Sequence, residues 1–179
     1  ASTLVLGATT VGGTLSATAT TGDITDSGNL TITGASTFIT GATGSNIVLD
    51  SSGNAFSNSV EMRADAGGEA FGNITFVDSA GIVFATSAGS NGDLYINSST
   101  DGTVGGTLSV TATTGNITDT VALAISGTSS FTTSATNGTI TLNTPAALSG
   151  AVTLSTTGAS GNATIDNGTT ALNIAASTI

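Results

Sequence analysis

The chain repeats itself at one fixed offset, and this internal repeat constrains the fold more than any other feature. Residues 11–50 match residues 104–143 without a gap, so the phrase Val-Gly-Gly-Thr-Leu-Ser that begins at Val11 returns at Val104. Phe38 falls on Phe131 in the same register. Self-similarity of this kind is typical of solenoids, in which each repeat buries its apolar side against its neighbours.

A shorter period of about 23 residues lies inside the long repeat. Each short unit begins with a turn residue that precedes a polar–apolar–polar triplet. These turn residues are Gly22, Ser45, Gly72, Gly92, Gly115, Gly138 and Gly161. A unit of this length, with short alternating segments between Gly and Asn turns, is typical of one coil of a β-helix. The longer unit at 45–71 predicts one enlarged coil.

The triplets predict one buried ladder with polar ladders beside it. Like positions of stacked coils contact each other, and strand side chains alternate between the two faces of a sheet. The predicted core ladder consists of Ile24, Ile47, Ile74, Leu94, Ile117 and Ile140. The predicted outer ladders consist of Asn46, Asn73, Asn116 and Asn162 on one side and Thr25, Thr75, Thr118, Thr141 and Thr164 on the other.

These patterns predict one all-β domain over residues 1–179, a right-handed parallel β-helix (β-solenoid) of about eight coils. At roughly 4.8 Å per coil, the rod would be roughly 40 Å long. An antiparallel sandwich is the alternative, with hairpins at Asn137-Gly138 and Asn167-Gly168. A sandwich does not require a fixed coil length, so the period favours the β-helix.

Composition excludes several classes of partner. The chain has one basic residue against 11 acidic ones, a formal charge of −10, and no cysteine. Without a basic surface it should not bind nucleic acid, and without an apolar run of about 20 residues it should not insert into membranes. The lack of cysteine suits a protein exported through an oxidising compartment. We therefore expect an extracellular protein.

The acidic residues do not form a catalytic pattern. Polysaccharide-cleaving β-helices need clustered carboxylates and usually a basic residue, and this chain has no His and no Lys. Asp26 and Asp119 are equivalent in the repeat, but four predicted coils separate them by roughly 19 Å. The sequence therefore predicts no enzyme, no catalytic residues and no cofactor.

The densest charge lies at 61–69, inside the enlarged coil. Extra residues in a solenoid are extruded as loops, and loops commonly carry function. Glu61, Arg63, Asp65 and Glu69 are therefore the candidate binding loop, with a host or cell-surface glycan or protein as its ligand. Glu61, Asp65 and Glu69 are also candidate cation ligands, although no resident metal is predicted. The alternative is a solvated loop with an Arg63–carboxylate pair.

The outer threonine ladder raises a function of a different class. A flat, regular threonine array on a β-helix can match ordered water, as ice binding requires. Val48 and Tyr95 interrupt the predicted column. Ice binding is therefore an alternative to the structural role.

The phrases Gly-Thr-Leu-Ser-Val-Thr-Ala-Thr-Thr-Gly at 106–115 and Thr-Gly-Asn-Ile-Thr at 114–118 carry a family resemblance. With the missing cysteine and nearly missing basic residues, the chain resembles the repeat regions of filamentous-haemagglutinin-type bacterial surface adhesins, which use two-partner or autotransporter secretion. The Asn-Pro-Asn-Gly motif of that family's secretion domain is absent, so the resemblance is to the adhesin shaft. It implies an extracellular parallel β-helix with adhesive, aggregative or scaffolding roles.

Strand-like sequence runs close to both ends of the chain, at 4–6 and 171–174, without a polar cap. Solenoids normally need such caps. We therefore expect either flanking coils of a longer adhesin shaft or head-to-tail stacking of chains into a filament. Both expectations make the protein a structural or adhesive element of the bacterial cell surface.

Overall fold

A computed structural model describes residues 2–64, 71–85, 93–96 and 103–179 of the chain. The described residues form 22 short β-strands and no helix, because Gly, Asn and Asp end each alternating segment after a few residues. None of them forms a helix that could span a membrane.

The strands of the first half are β1 (Leu4–Leu6), β2 (Thr9–Val11), β3 (Leu15–Ala19), β4 (Ile24–Asp26), β5 (Leu30–Ile32), β6 (Ser36–Thr40), β7 (Ile47–Leu49), β8 (Ala55–Phe56), β9 (Val60–Ala64), β10 (Ile74–Asp78) and β11 (Ile82–Phe84). Those of the second half are β12 (Asp93–Ile96), β13 (Thr103–Val104), β14 (Leu108–Ala112), β15 (Ile117–Asp119), β16 (Ala124–Ile125), β17 (Ser129–Thr136), β18 (Ile140–Leu142), β19 (Ala147–Leu148), β20 (Ala151–Thr157), β21 (Ala163–Ile165) and β22 (Asn173–Ile174).

The described strands stack into four sheets. Sheet 1 has the order β1-β4-β7-β10-β14-β17-β20-β22, and sheet 2 has the order β3-β6-β9-β12-β11-β15-β18-β21. Sheet 3 is β2-β5-β8, and sheet 4 is β13-β16-β19. Every pairing between these strands is parallel. The predicted all-β solenoid is therefore confirmed, and the antiparallel sandwich is excluded.

Successive strands leave one sheet for the next, so each turn of the solenoid contributes a strand to three sheets. About six turns in the described part of the chain are complete in this sense, fewer than the eight predicted coils. The positive φ of Asn137 (61°) and of Gly168 (55°) lies in turns within this path. These two positions are therefore corners of the solenoid and not the hairpins of a sandwich.

The predicted core ladder divides between two sheets. Ile24, Ile47 and Ile74 stack on sheet 1, but the next rung above Ile74 is Leu108 and not Leu94. Leu94 lies on sheet 2, where it pairs with Val60 and Phe84. All of these side chains are buried, as predicted. The prediction that they form one continuous column is wrong.

The upper members of that column form a separate stack. Ile117 and Ile140 stack on sheet 2, above Ile82 and below Ala163. The same triplet therefore stands at the start of strands in two different sheets. It specifies a corner and the strand that follows, but it does not specify the sheet to which that strand belongs.

Consequently, strands that correspond in the two copies of the long repeat belong to different sheets. Strand β4 of sheet 1 corresponds in sequence to β15 of sheet 2, and β6 of sheet 2 corresponds to β17 of sheet 1. In the lower turns sheet 2 receives the third strand of each turn, and in the upper turns it receives the second. Sheet 3 ends and sheet 4 begins at this change, which we call the seam.

The seam coincides with the largest step along the chain. Stacked corner residues are 23 residues apart at Asp23 and Asn46, 27 apart at Asn46 and Asn73, and 34 apart at Asn73 and Thr107. The predicted enlarged coil at 45–71 is longer than its predecessor, but the coil after it is longer still. The additional chain includes β12, which extends sheet 2 between β9 and β11.

Glycines stack at one corner of the solenoid, where neighbouring turns approach most closely. A Cβ on Gly127 would collide with the carbonyl oxygen of Gly106, and a Cβ on Gly150 would collide with the carbonyl oxygen of Gly127. A Cβ on Gly106 would lie 2.5 Å from the carbonyl oxygen of Gly72. Any larger residue would push the turns apart at this corner.

Substitution of Gly127 by Ala should therefore lower the free energy of unfolding by about 1–3 kcal/mol, the usual cost of overpacking. Gly12→Ala is the matched control, because nothing lies within 4 Å of its added Cβ. Urea denaturation followed by circular dichroism measures both. Equal midpoints for the two variants would contradict the close approach at Gly127.

Candidate functional site

The predicted asparagine ladder is a hydrogen-bonded corner between turns. The backbone N–H of Asn46 donates to Asp23 Oδ1 at 2.7 Å, and the N–H of Asn73 donates to Asn46 Oδ1 at 2.8 Å. The N–H of Thr107 then donates to Asn73 Oδ1 at 2.8 Å. Each of these side-chain oxygens therefore accepts the corner N–H of the next turn, which would otherwise have only water as a partner.

The ladder has a second, separate segment on the upper turns. Asn116 Oδ1 accepts the N–H of Thr139 at 2.9 Å, which repeats the contact of Asp23 and Asn46 one long repeat later. Asn162 does not extend this segment, since its Nδ2 donates to the carbonyl of nearby Ser160. The four predicted asparagines are therefore not one column.

The predicted threonine ladder is also divided. Thr25 and Thr75 lie in the outward column of sheet 1 with Val48 between them. Thr118, Thr141 and Thr164 stack directly on one another on sheet 2. Strand alternation places all five on the outer side of the wall, opposite to the inward-facing residues beside them.

Two aspartates that the repeat relates make the same contact in both halves. Asp26 accepts the backbone N–H groups of Asp50 and Ser51 at 3.1 and 3.2 Å. Asp119 accepts those of Asn143 and Thr144 at 3.0 and 3.2 Å. Burial raises the pKa of the Asp119 carboxyl, and these amide donors partly offset that rise. Both carboxylates hold the turn above in place.

The charged residues that were predicted to form a loop begin in a strand. Glu61 and Arg63 lie in β9, which pairs with β6 on one side and with β12 on the other. Arg63 Nη2 and Nε both lie 2.7 Å from Glu61 Oε1, so the two charges neutralise each other. The prediction of an extruded loop is wrong for 61–64, because an alternating Val-Glu-Met-Arg-Ala segment buries Val60, Met62 and Ala64.

The other two residues of that candidate site, Asp65 and Glu69, lie outside the described residues. Among the residues that the structure does describe, no three acidic groups come together in an arrangement that could hold a metal ion.

A surface groove of about 510 Å³ lies at the seam. Phe56 and Ser57 at the end of sheet 3 line the groove together with residues 80–83, which run from the preceding turn into β11 of sheet 2. Asn116 and Thr118 extend the lining. No described strand pairs with β8 on this side, so the wall of the solenoid is recessed here.

The buried side chain of Asp78 accepts hydrogen bonds from backbone N–H groups on both sides of the groove. Its Oδ1 accepts the N–H of Phe56 at 3.4 Å and that of Ala80 at 3.2 Å. The side chain is fully buried, and Oδ2 has no hydrogen-bond partner in the described structure. The carboxylate therefore takes the place of a neighbouring strand at the free edge of sheet 3.

Burial also changes the acidity of this group. Desolvation raises the pKa of the Asp78 carboxyl from 3.8 to about 6, and the amide donors Ala80, Phe56 and Ser79 offset only part of the rise. Neither Asp78 nor the groove is among the sites predicted from the sequence. The signal was present, because Asp78 occupies the inward phase set by Ile74 and Phe76.

Asn73 tests the corner ladder. Asn73→Ala removes the acceptor for the N–H of Thr107 and should lower the free energy of unfolding by about 1 kcal/mol. Asn73→Asp keeps an acceptor, as Asp23 does one turn below Asn46, and should retain most of the stability. Urea denaturation distinguishes the two, and an alanine variant as stable as the wild type would show that solvent replaces the contact.

Asp78 makes stability depend on pH in a definable direction. The folded state holds this proton more tightly than the unfolded state, so stability should fall as pH rises from about 4 to about 6 and stay reduced above that. The free energy of unfolding of Asp78→Asn relative to the wild type should therefore increase by up to about 3 kcal/mol between pH 4 and pH 6. Asp50→Asn, at an exposed position, controls for the loss of one negative charge. A pH-independent difference between D78N and the wild type would contradict the assignment.

Comparison with known proteins gives a family and no described function. No curated protein and no solved structure matches the chain. A family model described as repeats of unknown function (DUF5649) matches residues 1–63 and 71–155, which is most of the chain. The match omits residues 64–70, from the last residue of β9 onward. The protein therefore belongs to this family of repeats.

Proposed function

We propose that this solenoid is an extracellular structural and adhesive rod of the kind that forms the shaft of bacterial surface adhesins. The observation that carries the proposal is the use of polar side chains for contacts between turns. Asp23, Asp26, Asn46, Asn73 and Asp119 each accept a backbone N–H of the next turn. Side chains used in this way maintain a rod.

The outer surface of sheet 1 supports the same role. From β10 to β20 one outward column consists of small hydroxyl side chains in direct register, namely Thr75, Ser109, Ser130 and Thr153. Such a column has hydrogen-bonding groups but no charge, so its solvation changes little with pH or salt. That property suits a surface exposed outside the cell.

The position of the single basic residue supports an extracellular setting as well. Trypsin-like proteases cut after Lys or Arg, and the chain offers them Arg63 alone. Arg63 and Ala64 pair with Ile39 and Thr40 of β6, so the peptide bond after Arg63 is held in the extended ladder of sheet 2. The folded rod should therefore withstand such proteases.

The experiment is surface labelling of intact cells of the producing organism with an antibody raised against the purified chain. We expect labelling without permeabilisation, and we expect it to survive trypsin treatment but not a protease of broad specificity. Deletion of the gene should reduce attachment of the cells to surfaces or to each other. Labelling only after permeabilisation would overturn the extracellular role, and unchanged attachment would overturn the adhesive one.

A further inference from the structure

The groove at the seam combines a concave shape with an uncharged lining. None of its eight described lining residues is ionisable, although the chain carries a formal charge of −10. Its volume of about 510 Å³ lies within the range of small-molecule sites.

Polar atoms in the groove remain available to a ligand. Within the described structure, the hydroxyls of Ser57 and Thr118 make no hydrogen bond to the protein. Asn116 uses Oδ1 for the N–H of Thr139, and its Nδ2 makes no further contact within the described residues. Two hydroxyls and one amide donor thus face solvent beside the small apolar residues Ala80 and Val83.

Backbone N–H groups on both sides of the groove already donate hydrogen bonds within the protein. The N–H of Phe56 donates to Asp78, that of Ser57 donates to Ile32, and that of Ile82 donates to Asn116. Val83 pairs with β12. An added peptide strand would need free backbone donors and acceptors along one edge, and few remain here. Recognition must therefore come from the side chains.

We propose that the groove at the seam binds a neutral saccharide. Hydroxyl groups of a sugar both donate and accept hydrogen bonds, which matches two hydroxyls and an amide donor, and the C–H surface of the ring can lie against Ala80 and Val83. The negative charge of the chain disfavours uronic or sialic acids, so neutral hexoses are the ligand class. Neither Glu61 nor Arg63 lines this groove.

This inference gives the proposed adhesive function a ligand, and it rests on that function only because a surface rod meets extracellular glycans. Binding by the purified chain does not depend on where the protein is located. Failure of the binding experiment and failure of the cell-labelling experiment are therefore distinguishable.

The test is a titration of the isotope-labelled chain with cellotetraose, maltotetraose and mannotetraose, with tetragalacturonate as the acidic counterpart, followed by NMR. At least one neutral tetrasaccharide should shift the resonances of Ala80, Val83 and Thr118 in a saturable way, and the acidic one should bind more weakly. A Ser57→Ala/Thr118→Val double variant loses two hydroxyls while Val keeps β-branching, and should bind about ten-fold more weakly.

Thr141→Val is the matched control, because Thr141 stacks directly above Thr118 but does not line the groove. It should bind as the wild type does. The proposal fails if no neutral saccharide shifts these resonances, if the shifts map elsewhere, or if the double variant, shown folded by its own spectrum, binds as tightly as the control. It also fails if a neutral peptide binds the groove and the saccharides do not.

Discussion

Parallel pairing between successive turns is the constraint on which the rest of this structure depends. Because each turn hydrogen-bonds in register to the turns above and below, a residue at one position lies directly over its counterpart. Isoleucines therefore stack inside, threonines and serines stack outside, and glycines stack where the backbones come closest. Each corner N–H group points back to the preceding turn, where a side-chain oxygen of Asp23, Asn46 or Asn73 accepts it.

The seam is where this constraint is relaxed. Sheet 3 ends at β8, sheet 2 shifts from the third to the second strand of each turn, and no described strand covers the resulting edge. Asp78 stabilises that edge through the amides of Phe56 and Ala80, but its own carboxylate must be buried to do so. Groove, buried acid and longest coil are consequently parts of one feature.

Local alternation allowed the strands, the corners and the inward phase of the core to be predicted from the sequence. The partners of the strands were harder to predict. A triplet such as Asn116-Ile117-Thr118 specifies a corner and a strand. The same triplet sequence occurs on sheet 1 and on sheet 2, so it does not identify the sheet. The sheet to which the triplet belongs changes within the 34-residue step from Asn73 to Thr107, and nothing in the triplet itself marks that change. Glu61 and Arg63 lie in a strand and not in a loop for a related reason: the alternation of Val60, Met62 and Ala64 specifies a strand, whereas charge density alone does not distinguish a loop from the outer face of a strand.

The geometry of the corner contact does not depend on the number of residues between the two corners that it joins. Almost the same N–H to side-chain oxygen distance, 2.7 to 2.8 Å, closes steps of 23, 27 and 34 residues. A turn of this solenoid can therefore accept inserted sequence between one corner and the next without any change in the corners themselves. Members of such a repeat family can diversify in those intervals while the rod is conserved, and the same intervals offer places to graft foreign epitopes or enzymes at regular spacing along an engineered fibre.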